Sequence, residues 1–268
     1  MPIISIIGTK GGVGKSTVAM NVSAWLSRLQ EEMVLLVDGD THVRTVELKM
    51  CPNADVTLAD VMAGKHSLAD AIYRCQLVSG GRPMFPRLAV LPAGGRFLPP
   101  GGRDIVSFVE NTVERFERML DTLRKRFSYI IVDTPASVSF EHLILTAIAD
   151  ALLYVVNPDV DSILSASQTA AGLKELMGIE GVGVVVNRVP RGGADDLVRQ
   201  AELVGPLLGV VPDDELVEDS FRRDLPVIAM YPDSPASQAL KEIAGELMKK
   251  RIPATRLMPK FKFAQGTR

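Results

Sequence analysis

Several residue types and segments are scarce in this chain of 268 residues, and each shortage excludes a class of protein. No run of about 18 consecutive apolar residues occurs, so the sequence offers no membrane-spanning helix. The only two cysteines, Cys51 and Cys75, form no Cys-x-x-Cys pair and predict no disulfide framework. The three histidines, His42, His66 and His142, are far apart and share no metal-ligand spacing. We therefore expect a protein of the reducing cytoplasm.

Aromatic residues are also few, at 5% of the chain, whereas apolar residues of all kinds make up 47%. The apolar residues are mostly Val, Leu, Ile and Ala, a composition typical of parallel strands buried beneath helices. No secretory signal is expected, because the strand-like segment Ile3–Ile7 runs directly into a glycine-rich loop. The length suits one large α/β domain, and we expect residues 1–248 to form it.

Short apolar runs alternate along the chain with segments of helical period. The predicted strands are Ile3–Ile7, Val34–Val37, Leu88–Leu91, Tyr129–Val132, Ala151–Val156, Val182–Val186 and Leu207–Val211. The predicted helices are Ser16–Gln30, Asp104–Arg126, His142–Ala149, Ser162–Met177, Ala194–Val204 and Pro235–Lys250. This alternation predicts an α/β three-layer sandwich, in which helices cover both faces of a mostly parallel sheet.

Positive charge is concentrated at the end of the chain. The segment Lys249–Arg268 carries seven basic and no acidic residues, whereas the preceding residues carry 23 basic and 32 acidic ones. Pro253 and Pro259 would each break a helix, so we expect this basic tail to be flexible. The tail either contacts an anionic membrane surface or DNA, or serves only as a solvated end that keeps the protein soluble.

A glycine-rich loop joins the first predicted strand to the first predicted helix. The residues predicted to wrap a phosphate group are Lys10, Gly11, Gly12, Val13, Gly14, Lys15, Ser16 and Thr17. Glycines allow successive backbone N–H groups to face one anion, and the helix directs its positive end towards the same point. Lys15 can reach the outer phosphates and the Ser16 hydroxyl can bind Mg²⁺. The alternative is a plain glycine turn between a strand and a helix.

One residue departs from the usual phosphate-loop pattern, because Thr9 stands where the first glycine is expected and Gly8 comes one place too early. The run Lys10–Ser16 resembles the deviant phosphate loop of the ParA/MinD family of ATPases. The resemblance extends from about Ile3 to Met248 and implies a P-loop NTPase fold of the SIMIBI type.

The resemblance to this family implies ATP and Mg²⁺ as ligands and a homodimer with ATP sandwiched at its interface. It also implies slow hydrolysis to ADP and phosphate, stimulated by an activating partner protein. The cycle would position cell-division or chromosome-segregation machinery, with the protein in the cytoplasm or peripheral at the inner face of the membrane. In the family the extra lysine, here Lys10, reaches across the dimer to the partner's nucleotide; a solvated loop lysine is the alternative.

Acidic residues directly follow two of the predicted strands. Asp38 and Asp40 come after Val34–Val37, and Asp133 comes after Tyr129–Val132 in the manner of a Walker B strand. The carboxyl ends of parallel strands share one edge of a sheet, where carboxylates can hold Mg²⁺ and place the attacking water. By resemblance, Asp133 holds Mg²⁺ through water, Asp38 helps to hold the magnesium shell and the water, and Asp40 orients or activates that water. The alternative for each is a turn former or helix cap.

The base of the nucleotide is predicted to bind at the ends of two later strands. Asn187 and Arg188 follow one strand, and Pro212 and Asp213 end the next. The Asn187 amide offers a donor and an acceptor to the adenine edge, and the family uses an Asn at this strand end. A turn residue is the alternative for Asn187, and for Asp159 a turn into the next helix is the favoured interpretation.

Two other functions remain open from the sequence. The family usually has glycine at the position of Ser137, so a pseudo-ATPase scaffold that binds ATP with little turnover is one alternative. An ATP-dependent metabolic ligase on the same fold is the other. An iron–sulfur carrier is disfavoured, because the positions where such relatives carry paired cysteines have none here.

Overall fold

The computed structural model describes residues 2–95, 115–116, 118–136 and 140–253. Eight of its strands form one sheet and two form a separate hairpin. The strands are β1 Ile3–Ile7, β2 Val34–Asp38, β3 Tyr73–Arg74, β4 Val78–Ser79, β5 Arg82–Pro83, β6 Leu88–Leu91, β7 Tyr129–Asp133, β8 Ala151–Val156, β9 Gly181–Val189 and β10 Leu207–Pro212.

The main sheet has the strand order β10-β9-β8-β1-β7-β2-β6-β3, and β4 pairs with β5 in the hairpin. All neighbours in the main sheet run parallel except β3, which pairs antiparallel with β6 at one edge. The central strand β1 is buried along its whole length, as expected for an apolar strand covered on both faces. The prediction of a mostly parallel sheet is confirmed.

Helices lie on both sides of this sheet. They are α1 Lys15–Leu29, α2 Thr45–Met50, α3 Leu58–Met62, α4 Phe140–Ala147, α5 Val160–Met177, α6 Asp195–Gln200, α7 Glu215–Arg222, α8 Val227–Met230 and α9 Pro235–Lys249, with 3₁₀ turns at Leu68–Ala71 and Ala201–Leu203. Residues 118–124 are also helical. Ile4 and Ile6 pack in one cluster with α1 and α9, whereas Ile3 and Ile7 pack in clusters with α4 and α5. The three layers are therefore confirmed.

The structure corrects several predicted boundaries. The strand predicted at Val182–Val186 extends to Val189, so Asn187 and Arg188 lie inside β9 rather than after it. The helix predicted at Ala194–Val204 divides into α6 and a 3₁₀ turn. Most of the predicted helix Asp104–Arg126, together with Ser137 and the tail beyond Pro253, lies outside the described residues.

Within the described ranges, no helix combines the length and the apolar character that crossing a membrane requires.

Candidate functional site

The glycine-rich loop between β1 and α1 adopts a conformation that depends on its glycines. Gly12 and Gly14 have φ angles of 79° and 98°, in the left-handed region that favours glycine. A Cβ atom on Gly14 would lie 2.2 Å from Nδ2 of Asn187, so the position has no room for a side chain. Gly14 is the N-cap of α1, and it provides no side-chain cap. The first N–H groups of α1 are therefore free of a capping side chain and suited to bind an anion.

This loop forms one wall of an open cleft of about 830 Å³, a volume typical of small-molecule sites. The predicted phosphate-binding residues that line the cleft are Gly11, Gly12, Gly14, Lys15, Ser16 and Thr17. Val13 is buried in the apolar core, so its side chain belongs to the scaffold of the loop. Lys10 lies outside the cleft lining.

The Lys15 side chain is buried at the bottom of the loop. Burial lowers the pKa of its ammonium group, and the carboxylates of Asp133 and Asp40 act in the opposite direction. The structure therefore brings together three charged groups that the sequence places far apart.

Asp133 ends β7 and is completely buried. Within the described part of the chain, neither of its carboxylate oxygens accepts a hydrogen bond of good geometry, although the Ser16 hydroxyl lies close to it. Burial raises the pKa of Asp133 to about 7, while the nearby Ser16 hydroxyl and Lys15 ammonium act to lower it. A buried carboxylate is costly without a compensating partner, so this geometry fits a cation held near Ser16.

Asp38 ends β2, directly opposite Asp133 on the neighbouring strand β7. It is completely buried, and its two oxygens accept hydrogen bonds from the backbone N–H groups of Asp40 and Glu47, at 3.0 and 2.8 Å. Burial, reinforced by the charge of Asp133, raises the pKa of Asp38 well above its usual range. Neither Asp38 nor Asp133 is among the residues that line the cleft, so the part of Asp38 in holding the magnesium shell and the water stays a prediction. The observed contacts of Asp38 position the segment that leads into α2.

Asp40 does line the cleft. Its Oδ1 accepts hydrogen bonds from the backbone N–H groups of His42 and Val43, at 3.0 and 3.1 Å. One carboxylate oxygen thus forms the turn that leads into α2 and fixes the direction in which the side chain points.

The cleft is also lined by all four residues predicted for the base: Asn187, Arg188, Pro212 and Asp213. Asn187 is buried, and its Nδ2 donates a hydrogen bond to the carbonyl oxygen of Val13 at 2.8 Å. This bond uses one of the two N–H groups of the amide, and the contact of Asn187 with the base stays a prediction.

Comparison with known proteins places this geometry in a family. Residues 1–178 match a family model described as an AAA domain. An uncharacterised ATP-binding protein of Methanocaldococcus jannaschii is 34% identical over 248 residues, which cover 91% of this chain and 87% of that protein.

Two solved structures resemble the whole chain. The septum site-determining protein MinD of Pyrococcus horikoshii, complexed with Mg-ADP, has a TM-score of 0.74 and 26% identity, and covers 92% of this chain and 96% of its own. The MinC:MinD cell division protein complex of Aquifex aeolicus contains a chain with a TM-score of 0.76 and 27% identity. The match covers 96% of this chain and 99% of that one. The chain belongs to the ParA/MinD family of ATPases.

The lysine that marks the ParA/MinD loop contacts its own chain in this structure. Lys10 Nζ lies 3.0 Å from Asp159 Oδ1 and 3.9 Å from Asp161 Oδ2. All three side chains are substantially exposed, so solvent screening keeps this ion pair weak. Asp159 also caps α5 by accepting a hydrogen bond from the Ser162 backbone N–H, which confirms the predicted turn into that helix.

Part of the cleft was missed by sequence reasoning. The unpredicted lining residues are Val43, Thr45, Thr134, Ala136, Val211, Asp214, Glu215, Val217, Glu218, Phe221 and Leu240. Several of them belong to α7, whose signal is Asp214 as an N-cap followed by acidic residues in the first turn. The sequence does not show where α7 packs, because tertiary contacts determine its position beside the loop.

Proposed function

We propose that this chain binds ATP with Mg²⁺ in the cleft and hydrolyses it to ADP and phosphate, slowly and under the control of an activating partner protein. The observation that carries the proposal is the buried Asp133 carboxylate, which lies close to Lys15 and Ser16 and accepts no hydrogen bond of good geometry from the residues that the structure describes. A magnesium ion held with the nucleotide phosphates would supply the missing positive charge.

Two oxygen groups are suited to hold this metal. The Ser16 hydroxyl lines the cleft and would bind Mg²⁺ directly, while the buried Asp133 carboxylate would bind it through water. The bound Mg²⁺ would neutralise negative charge on the phosphates. Asp38 would act indirectly, because its backbone hydrogen bonds hold the segment that carries Asp40.

The remaining cleft residues divide between the phosphates, the attacking water and the base. Lys15 and the loop N–H groups would bind the phosphates, and Asp40 would orient or activate the attacking water. Arg188, Pro212 and Asp213 would flank the adenine. Asn187 would contribute its carbonyl oxygen to the base, since its nitrogen is bonded to the loop.

We further propose that ATP joins two copies of the chain face to face, with Lys10 released from Asp159 to reach the partner's nucleotide. The exposure of the Lys10–Asp159 pair supports this, because a weak surface ion pair is easily exchanged for contact with phosphate. The dimer would position division or chromosome-segregation machinery through protein partners, as the MinC:MinD complex of Aquifex aeolicus suggests for a relative.

For the whole chain we propose a single ATPase domain at residues 1–248 and a basic tail at Lys249–Arg268. The tail would bring the protein from the cytoplasm to an anionic membrane surface or to DNA through its seven positive charges.

The test measures Mg-ATP binding by calorimetry and phosphate release in the wild type, in Lys15→Ala and in Lys65→Ala. Lys65 is an exposed control lysine, 68% exposed and paired only loosely with Asp60 at 3.7 Å. We expect binding and turnover in the wild type and in the control, and loss of both in Lys15→Ala. Binding without phosphate release would favour a scaffold that binds ATP, and absence of binding would contradict the proposal.

A further inference from the structure

Lys49 lies on α2, and its side chain is buried against the end of α7. Only 7% of its side chain is exposed. Its Nζ donates hydrogen bonds to the Phe221 carbonyl oxygen at 2.6 Å and to Asp224 Oδ1 at 2.8 Å. The same ammonium group lies 3.8 Å from the centre of the Phe221 ring. A single cation thus makes three contacts with the end of one helix.

These contacts explain how a lysine is tolerated in a buried position. Burying an ammonium group is costly unless it is paired, and here a carboxylate, a carbonyl oxygen and an aromatic face compensate for the lost water. The carbonyl oxygen belongs to the last turn of α7, where the helix dipole favours positive charge.

Asp224 supports a specific role for this pairing. It follows α7 with a φ angle of 58°, in the left-handed region where glycine is the usual residue after a helix. An aspartate at this position is under some backbone strain that glycine would avoid. In contrast to glycine, it provides a carboxylate. That carboxylate is bonded to Lys49.

The two helices joined by Lys49 both contribute to the lining of the cleft. Asp40, Val43 and Thr45 line it just before and at the start of α2, and Val217 and Phe221 line it from α7. Lys49 lies about one helical turn beyond Thr45, so a displacement of α7 would be transmitted to the segment that carries Asp40. Asp38 fixes the start of α2 on the opposite side through the Glu47 N–H.

We propose that Lys49 is a positioning residue that clamps α7 to α2 and thereby holds the nucleoside-binding wall of the cleft at the correct distance from the phosphate-binding groups. The identity of the ligand rests on the proposed function above. Because α7 contributes Val217 and Phe221 to the apolar part of the cleft lining, the clamp should matter for the base and ribose and not for the phosphate chain alone.

The test compares Lys49→Met with the exposed control Lys65→Met. Methionine keeps an unbranched apolar side chain and removes the ammonium group that lies over the Phe221 ring. Asp224 is exposed, with 78% of its side chain accessible, so it is not left as a buried charge. With Mg-ATP and Mg-ADP, Lys49→Met should raise Kd about tenfold relative to the control, while Kd for magnesium tripolyphosphate changes by less than about twofold. Equal losses for nucleotides and tripolyphosphate, or no loss, would overturn the proposal.

A second measurement is independent of ATP. Hydrogen exchange of the nucleotide-free protein should be faster at residues 215–224 in Lys49→Met than in the wild type, with Asp224→Asn between the two. Unchanged exchange in both variants would overturn the clamp even if ATP binds normally. Faster exchange in a protein whose wild type binds no Mg-ATP would support the clamp and contradict the proposed function.

Discussion

At the scale of single residues, Asp133 combines complete burial with two carboxylate oxygens that accept no hydrogen bond of good geometry from the described residues. Burial raises its pKa from 3.8 to about 7. The folded protein therefore keeps this proton to a higher pH than the unfolded chain does. The contribution of Asp133 to the free energy of unfolding accordingly decreases as the pH rises through that interval.

Replacing the Asp133 carboxylate should have opposite effects on the free energy of unfolding and on magnesium binding. Asp133→Asn removes the buried charge, so without nucleotide we expect the variant to gain stability over the wild type, and to gain more at about pH 8 than at about pH 6. Urea unfolding at the two pH values measures this difference. The variant should at the same time lose the magnesium dependence of ATP binding. The same pH dependence in both proteins would show that Asp133 does not carry the buried charge.

At the scale of secondary structure, the short helix α2 is fixed by contacts to three other parts of the chain. The Glu47 N–H is bonded to Asp38, and its side-chain Oε2 accepts a hydrogen bond from the Gly94 N–H at 2.9 Å. Lys49 binds the end of α7. A helix of six residues has little intrinsic stability, so these contacts determine its position.

Removing the Asp38 carboxylate should loosen the segment between β2 and α2. Asp38→Ala leaves the N–H groups of Asp40 and Glu47 without their acceptors, at a cost of about 1 to 3 kcal/mol in the free energy of unfolding. Because Asp40 then loses its fixed position, we expect phosphate release to fall more than ATP affinity. Single-turnover phosphate release and calorimetry measure the two effects. An equal loss of both would indicate that Asp38 takes part in binding directly.

The parallel strands of the main sheet and the phosphate loop were predictable because their signals are local, whereas the two-residue strands β3, β4 and β5 were missed. Each core strand is an apolar run such as Ala151–Val156, and the loop conformation follows from glycines at fixed positions. The hydrogen bond from Asn187 to Val13 joins residues 174 positions apart, and no local sequence pattern predicts it. For the same reason α2 and α7 were missed, since both are short, and long-range contacts such as those of Lys49 and Asp38 fix their positions.

At the scale of the whole molecule, the Lys10 ion pair and the cleft carboxylate Asp40 belong to different stages of the proposed cycle. Lys10 is bound within its own chain in this structure, whereas Asp40 already faces the cleft. Dimerisation would therefore require a change at Lys10, and hydrolysis would require the dimer and Asp40 together.

Two variants should separate these stages. Lys10→Ala should bind Mg-ATP as a monomer and lose both dimerisation and turnover, because the group proposed to reach the partner's nucleotide is gone. Asp40→Ala keeps Lys10 and should accumulate as an ATP-bound dimer that does not turn over. Sizing chromatography with and without ATP measures the oligomeric state, and Lys174→Ala, an exposed lysine paired with Glu180, is the control. A dimer of Lys10→Ala in ATP, or only monomer of Asp40→Ala, would contradict this scheme.

The position of β1 in the middle of the sheet has a consequence for biosynthesis. Ile3–Ile7 are translated well before their two neighbours in the sheet, Tyr129–Asp133 and Ala151–Val156. Both edges of this strand therefore stay unpaired until β7 has been translated, and its second edge stays open until β8 follows. Such a delay exposes an apolar segment to aggregation, so chaperone protection during translation is expected to matter for the yield of this protein.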